Sequence, residues 1–142
     1  ILDEHHSDDG VGILGSVRGE VDDLFGSETV SDVFARLDTS PSDFARETAK
    51  ILRTKSPIAV AVAFDQIRQA RDMTLAQDLM MEFRLSQRTV RKPDLFEGIR
   101  AVIVDKDHSP KWQHADIGQV DPREVAAYFD LLPEDKELKL QF

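Results

Sequence analysis

Glu82 and Glu97 are the side chains in this sequence best suited to proton transfer, because a pair of carboxylates can act as general acid and general base. Their neighbours favour a simpler role. Glu82 lies close to Arg84 and Arg88 in a segment with helical spacing, and Glu97 precedes Arg100 by three residues. Such neighbours form ordinary ion pairs on helices. We therefore interpret both acids as ion-pair partners and predict no catalytic residue in this chain.

The histidines and serines give no stronger signal for catalysis. His108 and His114 flank Trp112 and are interpreted as solvated loop side chains. Ser86 and Ser109 have no histidine or acid at a spacing typical of a catalytic triad. The first ten residues hold several acids and two histidines, for which a metal site is the alternative to a solvated acidic loop. We favour the loop and predict no metal; the residues concerned are Asp3, Glu4, His5, His6, Asp8 and Asp9.

Basic side chains are concentrated in one region of an otherwise acidic chain. Lysine and arginine are the usual partners of phosphate groups, so this region could hold an anionic ligand. The alternative is a solvated basic edge of a helix. The side chains are Arg84, Arg88, Arg91, Lys92, Arg100, Lys106 and Lys111.

Composition places the chain among globular proteins and excludes several classes. The 142 residues are 41% hydrophobic, carry a net charge of −9 and include no cysteine. The negative charge argues against nucleic acid as a partner. No apolar run approaches 18 residues, so we expect no membrane span. The acidic first ten residues do not resemble a signal peptide, and the absent cysteines exclude disulfides within these residues.

The hydrophobic pattern predicts an all-α fold of about six helices. Residues 1–16 are expected to form a polar connecting loop, 17–132 a helical region and 133–142 a tail. A strand is the alternative for 58–71, which is rich in β-branched residues. Helix starts are predicted at Ser27, at Ser40-Pro41, at Ser56-Pro57, at a Thr74/Gln77 capping box, at Pro93 and at Asp121-Pro122, the last helix running to about Leu132.

Apolar spacing also predicts which helix faces are buried. The expected inward residues are Val30, Val33, Phe34 and Leu37; Phe44, Thr48, Ile51 and Leu52; Val60, Phe64 and Ile67; Leu75, Leu79, Phe83 and Val90; and Val125, Tyr128, Phe129 and Leu132. The run from Ile99 to Val104 is apolar almost all round. Because one short chain offers little to cover it, we predict that this run packs against a separate polypeptide.

Three motifs carry a family resemblance. They are MEFRLSQ at 81–87, FEGIRAVIVDKD at 96–107 and SPKW at 109–112. Together they resemble the C-terminal part of the 3-hydroxyisobutyryl-CoA hydrolases, which belong to the crotonase (enoyl-CoA hydratase/isomerase) superfamily. The match extends from about Glu20 to the last residue. The resemblance implies the all-α, C-terminal helical portion of a crotonase-like α/β enzyme whose sheet-forming core is missing here.

The resemblance also implies a function. The whole enzyme would hydrolyse an acyl-CoA thioester of valine catabolism, with a carboxylate-assisted water attacking while two backbone amides hold the oxyanion. Those groups lie in the missing portion, so no catalytic residue is carried over and residues 1–142 alone are expected to be inactive. Lys106 matches the lysine that approaches the nucleotide end of coenzyme A. An enoyl-CoA hydratase and a non-catalytic helical interaction module are the alternatives.

The expected partners follow from the same resemblance. They are the acyl-CoA substrate, the N-terminal crotonase core of the same protein and a second copy in a homo-oligomer. No tightly bound cofactor, nucleic acid or membrane is expected; coenzyme A enters as the thioester substrate. The compartment would be the cytoplasm in a bacterium and the mitochondrial matrix in a eukaryote.

Overall fold

Every regular element in the described part of the chain is helical. The structure is a computed structural model that describes residues 12–140, apart from the side chains of residues 13 and 14. The helices are α1 Ile13–Phe25, α2 Val30–Thr39, α3 Asp43–Arg53, α4 Pro57–Ala70, α5 Leu75–Thr89, α6 Pro93–Ile99 and α7 Pro122–Ala126, with a π-helical turn at Arg100–Val104 and a 3₁₀ turn at Ile117–Gln119. The predicted all-α fold is confirmed, and 58–71 is helix rather than strand.

Local capping chemistry explains where several helices begin. Thr74 and Gln77 form the predicted capping box at the start of α5, in which each side chain bonds the other residue's backbone N–H. The Ser56 hydroxyl accepts the Ala59 N–H at 3.3 Å at the start of α4, where Pro57 takes the first helical position. Proline also opens α6 and α7. These predicted starts are confirmed.

Other predicted boundaries are wrong by a few residues. α1 begins at Ile13, four residues before Val17, where the predicted helical region begins. Thr29, and not Ser27, caps α2 by accepting the Asp32 N–H at 3.1 Å. α3 begins at Asp43, because the Ser42 hydroxyl accepts the Phe44 N–H at 3.1 Å. α7 ends at Ala126, so the predicted continuation to Leu132 is replaced by turns.

The chain divides after Ala49 into two compact units. In the first unit, α1 packs against α2. The Arg36 guanidinium donates to the Asp23 backbone carbonyl. The buried apolar residues are Leu24, Val33, Phe34, Leu37, Ala45 and Ala49. The inward face predicted for α2 is thus confirmed at Val33, Phe34 and Leu37, whereas Ile51 of α3 is exposed.

The second unit buries different faces of α4 and α5 from those predicted. Its buried apolar residues are Ile58, Ala61, Val62, Met81, Leu85, Ala101, Val125 and Tyr128. Ile67 is 74% exposed and Leu75 is 68% exposed, so the predicted stripes of these two helices are wrong at those positions. The physical reason is that both helices carry apolar residues on more than one face, and the neighbouring elements decide which face is covered.

No helix within 12–140 is both long and apolar enough to cross a membrane. The division into loop 1–16, helical region 17–132 and tail 133–142 remains a prediction. The alternative metal site between Asp3 and Asp9 and the tail residue Phe142 lie outside the described residues.

Candidate functional site

The basic region predicted from sequence extends from α5 through α6 to the π-helical turn and the loop that follows it. The Asp105 N–H donates to the Arg100 carbonyl at 2.8 Å, the spacing of a π-turn, and the His108 N–H donates to the Ala101 carbonyl at 3.0 Å. Ala101 is fully buried and anchors this turn. The residues that follow, 105–111, form an exposed segment that we call the clamped loop.

Arg100 holds the clamped loop to α6. Its Nε and one terminal nitrogen bond the Glu97 carboxylate at 2.9 and 2.8 Å. The other terminal nitrogen bonds Asp105 at 2.6 Å and Asp107 at 2.7 Å. A fifth bond of 3.3 Å reaches the Ser109 carbonyl. All five N–H donors of the guanidinium can therefore be satisfied by these acceptors.

Glu97 ties the far end of the same loop. Its Oε1 accepts the Lys111 backbone N–H at 2.6 Å in addition to the bonds from Arg100. Hydrogen bonds from Arg100 are the main cause that lowers the pKa of Glu97 to about 2. Arg100 likewise lowers the pKa of Asp107. The predicted pair of Glu97 and Arg100 is confirmed, and Glu97 belongs to a structural network.

Lys106 is the second residue of the clamped loop. Lys106 and His108 both have left-handed backbone conformations, with φ of 55° and 52°. Residues with a Cβ rarely adopt the left-handed conformation, so surrounding contacts must stabilise it here. Both residues are exposed. Within residues 12–140, no carboxylate forms an ion pair with Lys106, and this leaves its ammonium group available to an anion.

Trp112 ends the clamped loop and packs on α6. Its indole N–H donates to the Thr54 carbonyl at 3.2 Å. A Cβ added at Gly98 would lie 3.3 Å from the ring, closer than most real contacts, so glycine allows the indole to approach the helix. The EG pair of the 96–107 motif is thus explained locally. Glu97 holds the loop through hydrogen bonds, and Gly98 leaves room for the Trp112 ring to pack on the helix.

Asp94 is a buried acid that joins three separate segments. It is 8% exposed and lies in the first turn of α6. One oxygen accepts the Ser56 hydroxyl at 2.5 Å, and the other accepts the Gln113 N–H at 2.9 Å. Asp94 was not among the functional residues predicted from the sequence. Its sequence context is an acid directly after a helix-opening proline, and this pattern is typical of an exposed helix start.

Four of the other predicted basic residues have partners elsewhere. Arg84 bonds Glu137 of the tail at 2.6 Å, and Arg88 donates to the Asp130 carbonyl at 2.8 Å. Arg91 donates to the Gln87 carbonyl. Lys92 lies over the Tyr128 ring, with its ammonium 5.6 Å from the ring centre. Of the seven predicted cations, Lys106 and Lys111 are those for which neither an acceptor nor a ring partner within 12–140 is found.

Glu82 and Glu97 belong to different networks. Glu82 accepts a 3.3 Å hydrogen bond from Gln66 of α4, so its predicted pairing with Arg84 is wrong: that guanidinium bonds Glu137 instead. His114 contacts Glu124 at 3.1 Å. The hydroxyls of the two serines bond nearby backbone carbonyls, Ser86 to that of Phe83 and Ser109 to that of Asp107. That the chain holds no catalytic residue remains a prediction.

An apolar groove of about 740 Å³ lies beside the clamped loop in the second unit. α4, the end of α5, and α6 with its π-turn form the walls, and its lining includes Val62, Leu85, Ile99, Val102, Ile103 and Trp112. The rim continues onto an exposed apolar face, where Ile103 is 64% and Phe96 60% exposed. As predicted, no element of the described residues covers the apolar side chains of Val102, Ile103 and Val104.

Comparison with known proteins places the chain in a family. The enoyl-CoA hydratase/isomerase family matches residues 2–129. The mitochondrial 3-hydroxyisobutyryl-CoA hydrolase of Dictyostelium discoideum is 42% identical over 123 residues, which cover 85% of this chain and 32% of the relative. The Homo sapiens protein of the same name is 32% identical over 137 residues, covering 93% of this chain and 36% of the relative. The chain thus spans about a third of their length.

Two solved structures share the fold. An enoyl-CoA hydratase from Rhodobacter sphaeroides 2.4.1 superposes with a TM-score of 0.86 at 34% identity, over 95% of this chain and 40% of that one. A carnitinyl-CoA dehydratase from Mycobacterium thermoresistibile superposes with a TM-score of 0.86 at 34% identity, over 97% of this chain and 39% of that one. The chain is therefore a helical portion of a crotonase-fold enzyme, and it belongs to the enoyl-CoA hydratase/isomerase family.

Proposed function

We propose that this chain is the C-terminal helical portion of an acyl-CoA thioester hydrolase, namely a 3-hydroxyisobutyryl-CoA hydrolase of valine catabolism. The observation that carries the proposal is the identity of 42% and 32% to two relatives that bear this name. In a eukaryote the enzyme would act in the mitochondrial matrix, since those relatives are named mitochondrial.

The clamped loop supports a contact with coenzyme A. Lys106 is exposed in this loop, and a lysine ammonium is a suitable partner for a phosphate of the nucleotide end. Arg84 and Arg100 are already occupied by acceptors within the chain, and Arg88 donates through one terminal nitrogen to the Asp130 carbonyl. Of the remaining cations we assign Lys106 to the ligand, because it matches the lysine that approaches coenzyme A in the related enzymes. The thioester chemistry belongs to residues outside this sequence.

The exposed apolar face supports the second role, which is to cover the coenzyme A site by packing on the crotonase core. Exposed apolar surface of this kind marks an interaction site. The relatives are about three times as long as this chain, so the same protein has ample sequence to cover the face. A second copy of the enzyme is the other expected occupant.

The decisive experiment uses the full-length protein. We expect hydrolysis of 3-hydroxyisobutyryl-CoA, measured through the free thiol of coenzyme A that the reaction releases. We expect no hydration of an enoyl-CoA. Lys106→Ala should raise the KM for the thioester about 5- to 30-fold, because a lost charge-assisted phosphate contact costs about 1–2 kcal/mol. An unchanged KM with a normal melting curve would remove Lys106 from the site.

An enoyl-CoA hydratase is the alternative within the family, and the name of the Rhodobacter structure favours it. Hydration of crotonyl-CoA without thiol release would establish that alternative. A non-catalytic helical interaction module is the second alternative. An upstream coding sequence that lacks an intact crotonase core with its catalytic acids would select the module.

A further inference from the structure

Hydrogen bonds to the side chains of Arg100 and Glu97 tie the clamped loop at every second residue. The His108 N–H adds a backbone bond to the Ala101 carbonyl at 3.0 Å. Asp105, Asp107 and Ser109 all bond Arg100, and the Lys111 N–H bonds Glu97, which is itself held by Arg100. The even-numbered Lys106 and His108 lie between these ties and adopt left-handed backbone conformations. The two unusual conformations therefore occur where both chain neighbours are fixed through one guanidinium.

Lys106 depends most directly on this arrangement. Its two neighbours, Asp105 and Asp107, bond the same terminal nitrogen of Arg100 at 2.6 and 2.7 Å. A residue with a Cβ avoids a φ near 55° unless its surroundings impose it. Without Arg100 the loop would relax toward ordinary backbone angles, and the direction of the Lys106 side chain would change.

Arg100 itself is poorly placed to bind a ligand. Its five N–H donors face the carboxylates of Glu97, Asp105 and Asp107 and the Ser109 carbonyl. A phosphate would have to displace one of these acceptors. The guanidinium also offsets part of the negative charge of three carboxylates, which would otherwise repel an anion approaching Lys106.

We infer that Arg100 is a positioning residue for the phosphate contact at Lys106. This inference rests on the proposed function, because it needs coenzyme A as the ligand. Arg100 would act through the backbone of the clamped loop without touching the ligand. The inference separates two effects of the guanidinium, namely fixing the loop and offsetting charge, which can be tested separately.

The first test measures equilibrium binding by titration calorimetry with two probes, free coenzyme A and pantetheine, on the full-length protein. Pantetheine lacks the nucleotide and its phosphates. Arg100→Gln should weaken coenzyme A binding about 5- to 30-fold, as Lys106→Ala does, because both remove the same contact. Pantetheine binding should change less than about twofold in both variants. The double variant should be no weaker than the single variants, since their effects are not independent.

Asp107→Asn separates positioning from charge. The substitution removes one negative charge, so a purely electrostatic role for Arg100 predicts tighter binding of coenzyme A. Positioning predicts weaker binding, because one tie of the loop is lost. The matched control is Arg123→Gln, which breaks an exposed ion pair with Asp121 outside the loop and should leave both probes unaffected.

Each outcome decides a different claim. If Lys106→Ala leaves coenzyme A binding unchanged, the proposed phosphate contact fails. If Lys106→Ala weakens binding but Arg100→Gln does not, the positioning role is overturned while the contact stands. If Arg100→Gln weakens the binding of pantetheine as much as that of coenzyme A, Arg100 has a general structural role instead. If Arg100→Gln does not fold, Asp107→Asn carries the test, and tighter coenzyme A binding by that variant overturns the inference.

Discussion

Replacement of Asp94 by alanine should destabilise the second unit strongly. The carboxylate is 8% exposed and accepts hydrogen bonds from the Ser56 hydroxyl and the Gln113 N–H. Each bond to a charged acceptor contributes about 1.5–3 kcal/mol, and a buried donor left without a partner costs about 1–3 kcal/mol. Gln113 is exposed, so water can replace part of its bond. We therefore expect a loss of about 2–4 kcal/mol in the free energy of unfolding.

The measurement is urea unfolding of the 142-residue chain, followed by fluorescence and by circular dichroism. Trp112 is the only tryptophan and directly precedes Gln113, so its emission reports on this region. With a urea dependence of about 2 kcal/mol per molar, the midpoint should fall by about 1–2 M. Coincidence of the two signals checks that unfolding is two-state.

Asp78→Ala is the matched control. Asp78 also lies in the first turn of a helix, but its carboxylate has no hydrogen-bond partner within residues 12–140. Its loss should cost only the interaction with the helix dipole, about 0.3–1 kcal/mol. Asp94→Asn should give an intermediate loss, because the amide keeps one acceptor and presents N–H groups to the second donor. Equal losses for Asp94→Ala and Asp78→Ala would refute the reasoning.

Three further predictions follow. Residues 1–142 alone should not hydrolyse an acyl-CoA, and turnover that Glu97→Gln abolishes would contradict this. The same chain should bind a hydrophobic dye and associate in light scattering through Phe96 and Ile103, whereas a dye-free monomer with a cooperative melt would contradict the apolar docking face. Because the pKa of Glu97 is lowered to about 2 from 4.5, its stabilising contribution is complete above about pH 4.5 and lost as pH falls toward 2. Trp112 emission should therefore change between about pH 4.5 and 2, and Glu97→Gln should abolish this change. A change in the parent protein that is centred above pH 4.5 and absent from Glu97→Gln would contradict the prediction.

The amino-acid sequence by itself determined the helix starts that depend on neighbouring residues. The Thr74–Gln77 capping box, the Ser56 cap and the helix-opening prolines act over three or four residues, so their partners are visible in the sequence. The same holds for the pairing of Glu97 with Arg100, one helical turn apart. The three motifs between 81 and 112 also determined the family.

The tertiary structure decided which helix faces are buried. Ile67 and Leu75 lie on regular apolar stripes, yet both are exposed, whereas Ala61 and Met81 are buried. Periodicity shows that a face is apolar, but it does not show which neighbour covers it. Within the described residues, the apolar stripes that hold Ile67 and Leu75 remain partly uncovered.

The tertiary structure also decided which charges remain available to a ligand. Asp94 meets Ser56 across 38 residues, and Arg84 meets Glu137 across 53. Asp105 and Asp107 reach Arg100 because the π-turn brings the start of the loop back to the guanidinium, with the left-handed Lys106 between them. Hydrogen bonds depend on positions fixed within a few tenths of an ångström. Sequence spacing can supply that precision within one helical turn, but between distant segments only the packing of the helices supplies it.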